Sequence, residues 1–170
     1  MNFRLGISLS AFCFATIILP VARAAVEVPP AIAVPGDVKV ATFHAEGAQI
    51  YECKPDQSNK LFWMLREPIA SLILDGKTVA FHSTGPSWQH VDGSALKAKM
   101  VSAAPGATFN DIPWLKFEVT EHRGDGFFAR VSAIQRVNTK GGALQGACES
   151  AGSYRSVPYS ADYIFLRKRI

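Results

Sequence analysis

The chain has 170 residues, 48% of them hydrophobic and 11% aromatic, with 18 Lys and Arg against 14 Asp and Glu and a formal charge of +4. That composition excludes a disordered or acidic solvating segment. Two of the basic residues, Arg4 and Arg23, lie in an N-terminal leader; without them 16 basic residues face 14 acidic ones, too even a balance to argue for a nucleic-acid surface.

In the leader, Arg4 precedes an apolar run from Leu5 to Leu19, which is followed by Pro20 and the small-residue site Ala22-Arg23-Ala24. Charge, apolar run and small residues in that order describe a secretory signal peptide, residues 1–24, cleaved after Ala24. A membrane anchor is the rival, but a spanning helix takes about 20 apolar residues and this run is shorter. Cleavage leaves 170 less 24, or 146, residues: one domain, 25–170, with no membrane span, bound for the periplasm or the outside of the cell.

Residues 25–36 hold Pro29, Pro30 and Pro35 without periodicity and read as an extended lead-in. From Val38 onward, short runs of alternating character are separated by turn residues, as in an all-β domain. Val38–Ala45 and Ala48–Lys54 are expected to be joined by a turn at Glu46-Gly47, with Lys60–Arg66 after a polar loop. Asp75-Gly76, Asp92-Gly93 and Gly124-Asp125-Gly126 predict hairpins pairing 69–74 with 78–83, 86–91 with 95–102, and 114–122 with 127–137. Residues 104–113, with Pro105, Gly106 and Pro113, read as a loop or a single turn. Within 127–137, Phe127, Ala129, Val131, Ala133, Gln135 and Val137 share one face, taken as the core side. Residues 159–166 alternate again, with Tyr159, Ala161, Tyr163 and Phe165 together. About ten short antiparallel strands with little helix make a barrel or a two-sheet sandwich, and closure into a barrel, which removes exposed edges, is the preferred reading.

Cys53 and Cys148 remain after the leader, with Cys13, is removed. An even pair in an oxidising compartment most simply forms a disulfide, which would tie the Gly- and Ser-rich stretch 138–158 to an early strand. Two free thiols serving as nucleophile or metal ligands are the alternative.

The string Gln135-Arg136-Val137-Asn138-Thr139-Lys140-Gly141-Gly142, then Cys148, then Val157-Pro158-Tyr159-Ser160-Ala161-Asp162-Tyr163, resembles the C-terminal signature of a family of secreted bacterial and fungal proteins known as domain of unknown function 3455. Val28-Pro29-Pro30-Ala31-Ile32-Ala33-Val34-Pro35, Gln49-Ile50-Tyr51-Glu52-Cys53, Gly85-Pro86-Ser87-Trp88 with Asp92-Gly93-Ser94, and Ile112-Pro113-Trp114-Leu115 fit the same pattern, which spans the mature chain. The resemblance implies no activity.

Chemistry-bearing motifs are sparse. Gly124-Asp125-Gly126-Phe127-Phe128-Ala129 fits G-x-G-x-x-A but opens no helix, so it offers no phosphate cradle. His44, His82, His90 and His122 lack zinc-motif spacing, and no metal or cofactor is expected. Asp162 lies inside a strand and invites a partner, with Arg136 a candidate. Gln135 is either a buried amide bonded to backbone or a group lining a cavity. Trp88, near a hairpin tip, is expected to be exposed. The leading expectation is a non-catalytic domain binding a small molecule, a glycan or a cell-envelope component beside 138–158, through some of Gln135, Arg136, Asp162, Tyr51, Trp88 and His82. The alternative is an extracellular hydrolase or lyase with a cavity lined by His82, Gln135, Arg136 and Asp162. A plain interaction module is a third reading.

Overall fold

The computed structural model describes residues 27–169. The leader lies outside the described residues. Eight antiparallel strands close into one barrel in simple chain order: β1 (Val38–Pro55), β2 (Leu61–Leu74), β3 (Lys77–Ser83), β4 (Ser87–His90), β5 (Ala95–Ala104), β6 (Trp114–Arg123), β7 (Ala133–Gly141) and β8 (Tyr154–Arg167). A barrel is therefore the right choice over a sandwich, with eight strands where ten runs were expected.

Two expected breaks are absent. β1 runs unbroken through Glu46-Gly47, because Gly47 answers a packing need and makes no turn: it sits between Ala70 of β2 and Tyr159 of β8, and a Cβ there would collide with the Ile69 carbonyl and the Ala70 backbone. Likewise 60–66 and 69–74 form the single strand β2. Pro68 is tolerated inside it because the β2–β3 ladder begins only at Ala70.

The Asp-Gly turns behave unequally. Asp75 (φ 50°) and Gly76 (φ 74°) both adopt the positive φ of a two-residue hairpin, and Leu74 pairs with Lys77. Asp92-Gly93 joins β4 to β5. The third is not a tight hairpin: β6 pairs with β7 only from Leu115 opposite Arg136 to Glu118 opposite Ala133, and Phe127–Arg130 form a 3-10 turn. Asp92 explains this departure. Its carboxylate accepts the Phe127 N–H at 2.8 Å and the Ser94 hydroxyl at 2.6 Å, while Ser94 Oγ accepts the Phe128 N–H at 3.2 Å. Held this way, Phe127 and Phe128 turn inward onto Phe43 and Phe165, with ring centroids 5.0–5.4 Å apart for Phe43–Phe127, Phe127–Phe128 and Phe128–Phe165. Aromatic burial therefore overrides the alternation of 127–131.

The barrel interior is filled by Phe43, Ala45, Ala70, Leu72, Ala80, Trp88, Leu96, Phe117, Ile134, Tyr159, Ala161, Tyr163 and Phe165. A second apolar cluster lies on the outer wall, where the lead-in, with a 3-10 turn at Pro30–Ile32, packs the fully buried Ile32 against Ala104, Ala133, Val137, Ile164 and Leu166. Both faces of β7 are consequently buried. Ile134 belongs to the interior, and Ala133 and Val137, read above as the core side, lie beneath the lead-in.

Cys53 and Cys148 are bonded, 95 residues apart in sequence. The loop 142–153 crosses one barrel end. Gly152 and Ser153 bond to the backbone of Cys53 in β1, while Gly146 and Cys148 bond to Trp63 and Leu61 in β2. Among the described residues no helix is long and apolar enough to cross a membrane.

Candidate functional site

Four of the six residues expected to bind a ligand face the interior, and each has a structural task. Tyr51 donates its hydroxyl to the Gly142 carbonyl at 2.8 Å and accepts the Leu144 N–H at 3.2 Å, so it anchors the crossing loop. Trp88 is not exposed at the hairpin tip; it is 1% exposed and stacks on His82 at 4.3 Å, because its cross-strand partners His82 and Leu96 turn it inward. His82 is also buried, with Nδ1 2.9 Å from the Ser87 carbonyl, and burial pushes its pKa down to about 4. Arg136 is buried too, donating from Nε (3.2 Å) and Nη2 (2.8 Å) to the Pro113 carbonyl, and it makes no ion pair with Asp162. Register explains this, since Arg136 pairs with Tyr163 and Asp162 with Val137, and neighbours on a strand point to opposite faces.

Gln135 and Asp162 are on the outer wall. Gln135 Nε2 donates to the Ile32 carbonyl at 2.7 Å, which makes it the buried amide that clasps the lead-in. The four residues His82, Gln135, Arg136 and Asp162 therefore do not line one cavity, since the first and third face inward and the others outward.

Asp162 belongs to a different constellation. β8 lies between β1 and β7, so His44 of β1 and Asp162 are cross-strand partners. His44 Nδ1 is 3.0 Å from Asp162 Oδ1, and His44 Nε2 is 2.9 Å from Glu46 Oε1. On the other side the β7–β8 ladder slips between Val137–Asp162 and Lys140–Ser160, leaving Asn138 and Thr139 opposite Ala161. This is a β-bulge, a device that re-aims side chains. Asn138 takes φ 53° in it, a conformation Asn tolerates better than most residues. Its Nδ2 donates to Asp162 Oδ2 at 2.8 Å. Thr139 is turned inward, where its hydroxyl donates to the Ile112 carbonyl at 2.6 Å.

The outcome is a chain of hydrogen bonds across three strands, Glu46–His44–Asp162–Asn138. It borders a cavity of about 350 Å³ that is also lined by Ala107, Trp114, Thr139, Lys140 and Ser160, a volume within the range of small-ligand sites. Asp162 is buried and the His44 side chain is 41% exposed. Chiefly the Asp162 hydrogen bond, and then that of Glu46, raises the His44 pKa above its ordinary value. With a carboxylate oxygen within hydrogen-bonding distance of each ring nitrogen, the site favours the protonated imidazole, in which both nitrogens donate. Among the described residues no group of three or more His, Cys, Asp or Glu converges as a metal site would require.

Of this constellation the sequence reading singled out only Asp162 as a site residue. The signals for the others were local: His44 and Glu46 have the spacing of one strand face, and Asn138-Thr139-Lys140-Gly141-Gly142 ends a strand with residues that favour positive φ.

A family model described as "Protein of unknown function (DUF3455)" matches residues 35–167. The chain belongs to this family. The match takes in every strand of this DUF3455 barrel and all residues of the His44–Asp162–Asn138 constellation. No curated protein and no solved structure matches it.

Proposed function

We propose that this DUF3455 domain is a secreted or periplasmic, non-catalytic binding module whose ligand is a small hydroxylated molecule of the saccharide class, seated in the cavity beside Asn138 and Asp162. The bulge in β7 carries this reading. A barrel wall needs no extra residue there, yet the bulge turns the Asn138 amide to Asp162 at the edge of a cavity, where bulges mark sites. An aromatic surface (Trp114), an amide (Asn138), a hydroxyl (Ser160) and charged donors (His44, Lys140) are the groups that recognise sugar rings by stacking and by hydrogen bonding to hydroxyls.

Placement outside the cytoplasm is supported by the Cys53–Cys148 bond and by the leader-like N-terminus. Ion pairs on the outer wall, Lys97–Glu121 and Lys99–Glu118, suit a barrel standing in water better than one facing lipid.

The test is ligand-observed NMR with a panel of neutral and acidic mono- and disaccharides. Saturation transfer to at least one sugar is expected, abolished by Asn138→Gly, which keeps the backbone conformation and deletes the amide. Silence across the panel, or transfer unchanged in Asn138→Gly, removes the proposal.

A further inference from the structure

A larger hollow lies elsewhere on the barrel, beside the short β6–β7 ladder. Beyond Glu118, β6 continues to Arg123 alongside β5 alone. The strip 129–133 is held to it by the Val119 N–H to the Ser132 carbonyl at 3.0 Å and by His122 Nε2, 2.8 Å from the Val131 carbonyl. The cavity formed there measures about 630 Å³. Its apolar lining comes from Val34 of the lead-in, Val101 of β5, Val119 of β6, and Ala129 and Val131 of the link. Three cations, Lys116, Arg130 and Lys168, share its boundary with a single carboxylate, Glu118.

The charges do not cancel within the cavity. Glu118 is paired outward with Lys99 at 3.1 Å. Lys116 donates to the Ala33 carbonyl at 3.2 Å, which fixes its position and leaves its charge in place. Lys168 pairs with Asp37 at 3.7 Å, and Asp37 also accepts the Ser132 hydroxyl at 2.9 Å, whereas Arg130 makes no ion pair among the described residues, so cations stay in excess. A trough with an apolar side and an excess of cations complements a chain of methylenes ending in an anion.

We propose that the β6–β7 cavity binds a single-chain anionic amphiphile, with the hydrocarbon along Val34, Val101 and Val119 and the carboxylate at Arg130 and Lys168. The proposal is independent of the saccharide reading, which concerns β1, β8 and the bulge of β7. An acidic peptide fits less well, because the valines would have to be covered by side chains that such a peptide lacks.

Calorimetric titration with sodium laurate below its micelle concentration tests this on the disulfide-bonded mature protein. Saturable binding is expected, weakened about tenfold or more by Arg130→Glu and by Val101→Asp, and weaker for dodecanol. Arg130 and Val101 are exposed, so both variants should melt like the parent protein. A melting shift in either one transfers the comparison to Lys168→Glu, another exposed position. Absence of laurate binding, equal affinity in all variants, dodecanol binding as tightly as laurate, or binding to phosphatidylglycerol vesicles without binding to laurate would each overturn the proposal.

Discussion

His44 and Asp162 are 118 residues apart in sequence and meet at 3.0 Å across the β1–β8 ladder. The imidazole is half exposed and the carboxylate buried, so an accessible ring is backed by a shielded carboxyl group. That polarity determines how the site titrates. His44 has a folded pKa above its ordinary value, so its contribution to stability is present in full below about pH 6.5 and is lost as pH rises through the folded value. In an NMR titration the His44 ring protons should show a midpoint above 6.5, and Asp162→Asn should return it towards that value. A midpoint at or below 6.5 in the parent protein would refute the coupling.

His82 should do the reverse. The unfolded chain takes up a proton near pH 6.5 that the folded barrel refuses until about pH 4, so this residue's contribution falls as pH drops through that window. Between pH 7 and pH 5 the loss is about 2 kcal/mol. Urea unfolding at the two pH values should show that difference shrinking in His82→Phe relative to the parent. An unchanged pH dependence would place the acid sensitivity elsewhere.

The Cys53–Cys148 bond closes most of the barrel into one loop. Converting both cysteines to serine should cost about 4–5 kcal/mol on the chain-entropy model, read as a lowered urea midpoint. The oxidised protein should gain two hydrogens in mass on reduction. Free thiols in protein purified without reductant would contradict the bond.

The lead-in contributes to stability through the outer cluster. Ile32→Ala should destabilise the barrel by about 2–5 kcal/mol, the usual cost of truncating a fully buried aliphatic side chain. Gln135→Ala should cost about 1–3 kcal/mol, because it leaves the Ile32 carbonyl buried without its donor. If thermal melting is unchanged in both variants, the lead-in does not pack as described.

Gly47→Ala should be worse than its size suggests. The added methyl meets backbone of β2, which cannot step aside without breaking the β1–β2 ladder, so a loss of about 3 kcal/mol or more is expected. A soluble variant with the parent's melting temperature would show that the strands separate more easily than the packing implies.

Much of the fold was legible because strand pattern and turn chemistry are local. The alternation of Tyr159, Ala161, Tyr163 and Phe165, the positive-φ pair Asp75-Gly76 and the even pair of cysteines each act within a few residues or by simple count. Reading failed where a residue serves a partner far along the chain. Gly47 looked like a turn because close approach to a neighbouring strand leaves the same glycine signature. Phe127 and Phe128 looked like strand because their capture by Asp92 and Ser94 comes from 34–35 residues away. The faces of β7 were misjudged because a hydrophobic residue reads alike whether the interior or the lead-in covers it.

By itself the sequence determined an all-β domain, the pairing expected of Cys53 and Cys148, its best hairpin and its family. Tertiary structure alone decided that Arg136 faces inward and Gln135 outward, that Asp162 partners His44 and Asn138 instead of Arg136, and that a cavity lies beside them. The physical reason is register. A strand side chain's face changes with every single-residue slip, and in a closed barrel that slip is set only when all eight strands and the bulge at Asn138 fit around the ring together.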